Sequence, residues 1–386
     1  MASFSIDESV APGFVVKIKV IGVGGGGGNM IDYIIREEMN QSEGMDQVEF
    51  LSANTDAQAL SKSKAYNKIQ LGERRSAGLG AGAKPEVGRE SAEESYDQIT
   101  KVLDGANLVF IAAGFGGGTG TGAAPIIARA AKEIGALTIG VVTTPFKHEM
   151  QKRMRVALDG IKELRKECDS VIVIPNEKLR SLSSGLGIKD GFKIVDSVLA
   201  NGVSGMCGLL LQSGESDINV DFNDIRTAMS FRGTSLLGLG QASGENAAQE
   251  AVKNAIQSPL LEDIDIKGAK AIVINFKMNP NHLGDDVYTA LDYISEIVGD
   301  SGDTEVFWGT FTDNKIQEDL VEVTIIATGI NDKEEEKIEA KPEPKQVQKT
   351  GTDDLFGSYM NYQPNNVKMA NFDDLDMPAI KRRMKD

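Results

Sequence analysis

The sequence predicts an α/β protein in which a Rossmann-like, doubly wound domain is joined by a long central helix to a smaller α/β domain. Three observations predict this architecture. Apolar runs alternate with helical patterns from residue 17 to about 188, a continuous helical pattern covers 189–211, and strand patterns return between 212 and 330. Strands that alternate with helices are typical of a parallel sheet with helices on both faces.

The first domain, residues 17–188, follows a polar arm at 1–16. Its candidate strands include a short continuous apolar run at 107–113, which is typical of a strand buried on both faces of a parallel sheet. They lie at 17–23, 48–54, 107–113, 137–145 and 170–175.

The first glycine segment, GGGGGN at 24–29, follows the first candidate strand and precedes a helical pattern at 30–39. We predict a loop for it. Gly22, Gly24 and Gly27 also satisfy G-x-G-x-x-G, with Asp56 farther along the chain, and this pattern favours a dinucleotide-binding fold. A nicotinamide-dependent oxidoreductase is therefore an alternative, although any glycine-saturated loop satisfies the pattern. The Walker pattern is absent, which excludes an ordinary P-loop enzyme.

The second glycine segment, GGGTGTG at 116–122, lies between a buried strand pattern and an alanine-rich helical pattern at 123–135. Pro125 is expected in the first turn of that helix and Gly135 at its C-terminal cap. Because this loop has almost no side chains, its backbone N–H groups and a helix N-terminus can surround an anion. Thr119 and Thr121 can add hydroxyl donors. Two such segments favour the binding of a nucleoside triphosphate. The alternative is that the second glycine segment is a flexible surface loop.

The central helix pattern at 189–211 contains Gly202, Gly205 and Gly208, each of which costs about 1 kcal/mol of helix propensity. Such glycines are tolerable where other elements pack closely against the helix. The smaller domain, 212–330, shows strand patterns at 269–276, 304–311 and 320–330 and an amphipathic helix at 285–299. Residues 331–370 have the composition of a disordered linker, and the tail peptide, 371–386, regains apolar residues.

Composition excludes several classes of function. The net charge of −16 argues against a nucleic-acid-binding protein, because phosphate backbones require basic surfaces. The chain has two cysteines, expected to be reduced and buried, and two histidines, which argue against a histidine metal site or a histidine-dependent triad. No leader and no apolar run of about 18 residues is present, so we expect a cytoplasmic protein with no membrane span.

Taken in order, these motifs resemble the FtsZ family of bacterial cell-division GTPases, within the tubulin superfamily. GGGTGTG after a buried strand is the first of them. The others are VIGVGGGGGN at 20–29, NTDAQAL at 54–60, TTPF at 143–146, IPNEKL at 174–179, NVDFNDIRT at 219–227 and SPLLEDIDI at 258–266. The resemblance covers residues 17–330 and the tail peptide. It implies a GTPase that forms GDP and phosphate, assembles into filaments and builds the division ring at midcell.

The resemblance also implies the residues of a GTP site. The phosphates would lie among Gly25, Gly26, Gly27, Gly28, Asn29, Gly116, Gly117, Gly118, Thr119, Gly120, Thr121 and Gly122. Gly82, within GAGAKP at 80–85, would lie beside the terminal phosphate. Glu149 and Arg153 would contact the ribose, although an exposed ion pair on one helix face explains their spacing equally well.

The base would be held by Asn176, Phe192 and Asp196, by the same resemblance. Phe192 and Asp196 are four residues apart, so on one helix the ring can stack on the base while the carboxylate accepts from guanine N1–H and the 2-amino group. The helical pattern alone favours a core position for Phe192.

The acid loop, residues 219–224, carries Asn219, Asp221 and Asp224. The pattern alone favours acids that cap a helix and complement its dipole. The resemblance implies instead that this loop completes the active site of the next subunit, where its acids position the attacking water. Head-to-tail contact of this kind generates an open filament. A filament protein that binds GTP without turnover is a further alternative, and the presence of these residues argues against it.

The resemblance implies Mg²⁺ bound to the nucleotide, with K⁺ as a further candidate ion, and no metal site built from protein side chains alone. It also implies that the tail peptide binds a membrane-tethered division adaptor through Leu375, Met377 and Ile380. Two residues depart from the family pattern. Lys84 stands where an uncharged residue is expected, and Met150 stands where a glycine is expected.

Overall fold

A computed structural model describes residues 16–38, 45–180, 187–211, 218–231, 233–261, 266–299 and 304–330. All of these residues lie within one unit, Met1–Ile338. The predicted arm (except residue 16), the linker and the tail peptide lie outside the described residues.

The described residues form strands and α-helices of the lengths expected for an α/β protein. The strands are β1 Ile18–Val23, β2 Val48–Asn54, β3 Asn67–Gln70, β4 Leu108–Gly114, β5 Leu137–Thr144, β6 Ser170–Pro175, β7 Thr234–Ser243, β8 Ala271–Met278, β9 Glu305–Thr312 and β10 Leu320–Ile330. The helices are α1 Gly24–Tyr33, α2 Ala57–Lys62, α3 Pro85–Glu94, α4 Tyr96–Leu103, α5 Thr119–Glu133, α6 Gln151–Glu167, α7 Ile188–Gly208, α8 Phe222–Ser230, α9 Ala247–Ile256 and α10 Gly284–Val298.

The first six strands form a parallel sheet in the order β3-β2-β1-β4-β5-β6. Val20 of β1 is in register with Phe50 of β2 on one side and with Phe110 of β4 on the other. This is the predicted doubly wound arrangement, and its strand order reverses between β1 and β4. In such sheets a ligand binds outside the carboxyl ends of the strands at that reversal.

The sheet continues into a second half in the order β7-β10-β8-β9, giving ten strands in total. β10 runs antiparallel to β7 and β8, and the two halves meet at the pair Ile172 and Ser235. The sequence did not predict β7, because Gly238 and Gly240 lower its strand propensity. Both glycines lie under α9, where a Cβ on Gly238 would be 2.6 Å from the Ala255 carbonyl oxygen.

The central helix α7 packs against both halves of the sheet, and its glycines explain how. A Cβ on Gly202 would lie 2.6 Å from the Leu237 side chain, and one on Gly208 would lie 3.1 Å from the amide of Asn275. A Cβ on Gly205 would collide with Thr324. The predicted close packing is therefore present, since larger residues would separate α7 from the sheet.

Two helices begin earlier than the sequence predicts. The first glycine segment is not a loop, because α1 starts at Gly24, directly after β1. Helix α5 starts at Thr119, so Pro125 lies inside the helix and not in its first turn. Glycine disfavours helix locally, but close contacts between the two segments hold both in helical form. Gly135, at φ 82°, ends α5 as predicted.

The expectation for the two cysteines is confirmed. Cys168 and Cys207 are free thiols and both are buried. Within the described ranges, no helix has both the length and the apolar character required to cross a bilayer.

Candidate functional site

Two neighbouring parallel strands bring two helix N-termini to one place. β1 leads directly into α1, and β4 leads through the second glycine segment into α5. The backbones touch, since a Cβ on Gly24 would lie 3.0 Å from the nitrogen of Gly120, and one on Gly26 would lie 3.2 Å from the Cα of Gly114. First-turn N–H groups have no acceptor within their own helix, so both helices present donors and partial positive charge at the same point.

The glycines here have two separate roles. A side chain on Gly27 would overlap the Ala112 carbonyl, and one on Gly120 would overlap the Gly114 carbonyl, so both glycines permit close packing. Gly25, Gly82 and Gly117 are different, because a Cβ on any of them would meet no atom within 4 Å. Each of these three positions faces open space near the helix N-termini, so a phosphate chain has room to approach the backbone there.

Both threonines of the second glycine segment form hydrogen bonds within the protein. The Thr121 hydroxyl is buried and accepts from the N–H of Gly116 at 2.9 Å, which closes the loop on itself. The Thr119 hydroxyl lies 2.7 Å from that of Thr55. Thr55 was missed as a site residue, although it directly follows the carboxyl end of β2, where site residues gather in parallel sheets.

A tight turn at 80–85 covers the second glycine segment. Gly82 and Ala83 both have positive φ, at 58° and 57°. A Cβ on Gly118 would lie 2.7 Å from that of Ala81 and 2.9 Å from the nitrogen of Lys84, so the turn rests directly on Gly118. The structure thus brings Gly82 to the same opening as the two helix N-termini.

Glu149 and Arg153 form an ion pair of 2.5 Å, but they do not share one helix. Glu149 ends a short 3₁₀ turn, and Met150, with φ 80°, separates this turn from the start of α6. The Glu149 carboxylate also accepts from the N–H of Phe146 at 3.0 Å. The pair adjoins the second glycine segment, because a Cβ on Gly116 would lie 2.9 Å from the Arg153 carbonyl oxygen.

The predicted base-binding residues lie at the carboxyl end of β6 and on α7. Asn176 is buried, and its side-chain oxygen has no hydrogen-bond partner among the described residues. Phe192 is 44% exposed, so it is not the core residue that the helical pattern favours. Its ring meets Phe146 edge to face, with centroids 5.7 Å apart. An unpaired buried amide oxygen and an exposed ring suit a planar polar ligand.

Asp196 lies one turn after Phe192 on α7. Burial raises the pKa of its carboxyl to about 7, and the positive charge of Arg36 opposes part of that rise. Burial acts in this direction because it disfavours the charged form of an acid. A partner that donates hydrogen bonds would favour the ionised carboxylate.

The acid loop lies elsewhere. Asn219, Asp221 and Asp224 are all exposed, and α8, which follows Asp221, packs against β8 and β9. Strands β5, β6, β7 and β10 lie between β4 and β8, so about 24 Å of sheet separates the two regions at the usual strand spacing. Asp221 caps α8 by accepting from the N–H of Asn223 at 2.9 Å. The capping role that the pattern favours is therefore present.

Two family models match this chain. Residues 17–184 match the model described as Tubulin/FtsZ family, GTPase domain, and residues 233–331 match the model described as FtsZ family, C-terminal domain. The fold and these matches define a tubulin-like GTPase. The Cell division protein FtsZ of Buchnera aphidicola subsp. Schizaphis graminum (strain Sg) is 42% identical over 385 residues, covering 96% of this chain and 97% of its own. The chain belongs to the FtsZ family.

Solved structures agree with this assignment. An empty FtsZ dimer from M. jannaschii has a TM-score of 0.75 at 37% identity, and the match covers 82% of this chain and 89% of that chain. CetZ2 from Haloferax volcanii, solved as a GTPγS-bound protofilament, has a TM-score of 0.69 and covers 82% of this chain and 94% of its own. At 23% identity the second likeness shows the fold alone.

These matches decide between the readings of the glycine pattern. Gly22, Gly24 and Gly27 form a dinucleotide fingerprint by spacing, but the family is one of GTPases. The nicotinamide-dependent alternative has no support. In the structure Gly22 and Gly27 face each other, and a side chain on either would strike the backbone of the other. Close packing of β1 on α1 explains their spacing without a dinucleotide.

Proposed function

We propose that this GTPase binds GTP at the junction of α1 and α5, with its phosphates against the two glycine segments. The observation that carries the proposal is the open space beside each of Gly25, Gly82 and Gly117, close to where two helix N-termini converge. Backbone N–H groups and helix dipoles stabilise phosphate charge there without a lysine in either segment. Mg²⁺ enters with the nucleotide, bound through its phosphate oxygens, and K⁺ is a further candidate ion.

The ribose and base extend from this point toward β6 and α7. We assign the ribose to Glu149 and Arg153, whose ion pair adjoins Gly116. Asp196 accepts from guanine N1–H and the 2-amino group, and the unpaired oxygen of Asn176 provides another acceptor. Adenine has an acceptor at N1 and no 2-amino group, so it would leave these acceptors unpaired in a buried site. Phe192 stacks on the base.

Hydrolysis requires a second subunit in this proposal. Asn219, Asp221 and Asp224 are exposed and lie about 24 Å across the sheet from the glycine segments, a distance that supports their action on a neighbour. Phosphoryl transfer depends mainly on positioning and charge stabilisation, so acids that orient water beside the terminal phosphate are chemically adequate. A site completed in this way is active only in the assembled state.

Head-to-tail stacking brings the acid loop of one subunit to the GTP of the next. Such a contact is heterologous and extends into a filament. The related FtsZ structure from M. jannaschii is a dimer, which supports self-association. The Buchnera relative is a cell division protein, which supports such a role for this chain, and we propose assembly of the division ring at midcell. The tail peptide would connect the filament to a membrane-tethered adaptor.

The experiment that tests this function adds GTP and Mg²⁺ to the purified chain. Right-angle light scattering follows assembly, and phosphate release is measured in parallel. We expect both signals to require GTP and to rise steeply with protein concentration, with ATP inactive. Phosphate release whose specific rate is independent of protein concentration would contradict a site shared between subunits.

A further inference from the structure

Lys84 occupies an unusual position beside the second glycine segment. Its backbone rests on Gly118, where a Cβ would lie 2.9 Å from the Lys84 nitrogen and 3.1 Å from its oxygen. Its N–H donates to the carbonyl of Ala81 at 3.1 Å, which closes the turn at 80–85. Lys84 is also the N-cap residue of α3, and its side chain makes no capping hydrogen bond.

The charge of Lys84 is uncompensated. Its side chain is exposed, and among the described residues no carboxylate lies within ion-pair distance of its ammonium. Glu86, in the first turn of α3, is not paired with it. A cation at a helix N-terminus is repelled by the helix dipole. Here the partial positive charges at the N-termini of α1 and α5 add to that of α3. The surroundings of Lys84 therefore favour the binding of an anion.

We propose that the Lys84 ammonium binds the terminal phosphate of GTP and sets the preference of the free subunit for GTP over GDP. The inference rests on the proposed GTP site. Gly118 lies beneath the turn and contacts the backbone of Lys84, which places this exposed lysine beside the second glycine segment. A flexible ammonium is a point charge that follows a phosphate group without fixed geometry. GDP lacks the phosphoryl group that Lys84 contacts.

The expected size of the effect follows from the exposure of Lys84. Two unit charges interact weakly in bulk water and several times more strongly near a protein surface. A lysine on an exposed turn lies toward the lower end of this range. Its removal should therefore weaken GTP binding about tenfold, and GDP binding by less than about twofold.

The test measures GTP and GDP affinity in the full chain, at protein concentrations below assembly. The variants are Lys84→Gln, Lys84→Arg and the control Lys101→Gln, since Lys101 is exposed at the C-terminal end of α4. We expect Lys84→Gln to lose most of the GTP preference, while Lys84→Arg and Lys101→Gln retain it. Raising the salt concentration should narrow the preference in the wild type and leave Lys84→Gln unaffected, because salt screens exposed charges.

An equal loss of GTP and GDP affinity in Lys84→Gln would overturn the inference, and so would no loss of either. A variant that assembles poorly but retains its full GTP preference would also overturn it, since Lys84 would then act at the junction between subunits. A wild-type chain that binds neither nucleotide would instead contradict the proposed function itself. Thermal unfolding of each variant shows whether the fold is intact.

Discussion

The Asp221 carboxylate accepts a hydrogen bond from the backbone N–H of Asn223 at 2.9 Å and so caps helix α8. An alanine at this position would remove the cap as well as the charge, at a stability cost of about 1 kcal/mol. Asparagine caps a helix about as well as aspartate does. We therefore predict that Asp221→Asn keeps the wild-type melting temperature and assembles with GTP, but hydrolyses it about 100-fold more slowly.

Melting curves, co-sedimentation and phosphate release distinguish the two roles of Asp221. Asp221→Ala serves as the comparison, with a lower melting temperature and the same loss of turnover. If Asp221→Asn hydrolysed GTP at the wild-type rate, Asp221 would be a capping residue alone.

The second prediction concerns pH. Partial burial raises the pKa of the Asp196 carboxyl to about 7, while the guanine contact that we propose requires the ionised form. GTP binding should therefore lower this pKa and release a proton. Below pH 7, the affinity for GTP should increase by up to about tenfold for each unit by which the pH is raised. Above pH 7 the free carboxylate is already ionised, so the dependence should flatten.

Calorimetry between pH 5.5 and 8.5, in buffers of different ionisation enthalpy, measures both the affinity and the proton release. Asp196→Asn is the control, since it retains the ionisation of the GTP phosphates themselves. The variant should bind GTP more weakly at pH 8, discriminate less against ATP, and lose the part of the pH dependence that belongs to Asp196. An identical pH profile in the two proteins would remove Asp196 from the base site.

The third prediction concerns Met150, which has φ 80° and ψ 146°. This backbone conformation is nearly exclusive to glycine and costs other residues about 1–3 kcal/mol. The Met150 side chain is 74% exposed, so its removal loses little packing. Met150→Gly should stabilise the chain by about 1 kcal/mol and raise its melting temperature by about 2 °C.

Differential scanning calorimetry checks this, with Met154→Gly as the matched control. Met154 lies inside α6, where glycine costs about 1 kcal/mol of helix propensity. The two variants should therefore shift the melting temperature in opposite directions. A fall in both would mean that the conformation at Met150 carries no strain.

The fourth prediction concerns the tail peptide, 371–386, which lies outside the described residues. We expect its deletion to leave GTP turnover and assembly unchanged and to abolish membrane recruitment in cells, because segments of this composition fold on a partner. Removal of an equal length from 331–370 is the control and should retain recruitment. Loss of assembly on deletion of the tail would contradict this division of roles.

Much of the fold could be predicted because the evidence for it is local. β4 is a continuous apolar run and β1, β5 and β6 are mostly apolar, and burial on both faces of a parallel sheet produces that pattern. The starts of α1 and α5 could not be predicted, because local propensity disfavours a helix start within a run of glycines. Contacts between the two segments, such as that of Gly24 with Gly120, override propensity, and they join residues far apart in sequence.

Only part of the candidate site could be predicted, because its geometry also depends on contacts between residues far apart in sequence. The resemblance named the glycines, but it did not indicate that Gly118 packs under the turn while Gly117 faces open space. The pattern alone favoured a core position for Phe192, because helical periodicity cannot distinguish a core residue from one that faces a ligand. The separation of Asp221 from the glycine segments depends on strand order, which no local pattern specifies.

The central claim is that one subunit completes the site of another, and Gly117 allows a direct test. Gly117 faces open space, so Gly117→Asp should place a carboxylate against the phosphates without disturbing the fold. It should bind GTP poorly by charge repulsion, whereas Gly117→Asn, of similar size, should bind better. Gly118 is unsuitable, because a side chain there would strike Ala81 and Lys84.

The decisive measurement is phosphate release from a mixture of Gly117→Asp and Asp221→Asn chains, with co-sedimentation in parallel. Each variant alone should be nearly inactive, one for lack of bound GTP and the other for lack of the acid. In the mixture, an Asp221→Asn subunit that holds GTP meets the intact acid loop of a Gly117→Asp neighbour. We predict that phosphate release exceeds the sum of the separate rates and rises steeply with total protein. Co-assembly of the two variants with phosphate release no greater than that sum would contradict the shared site.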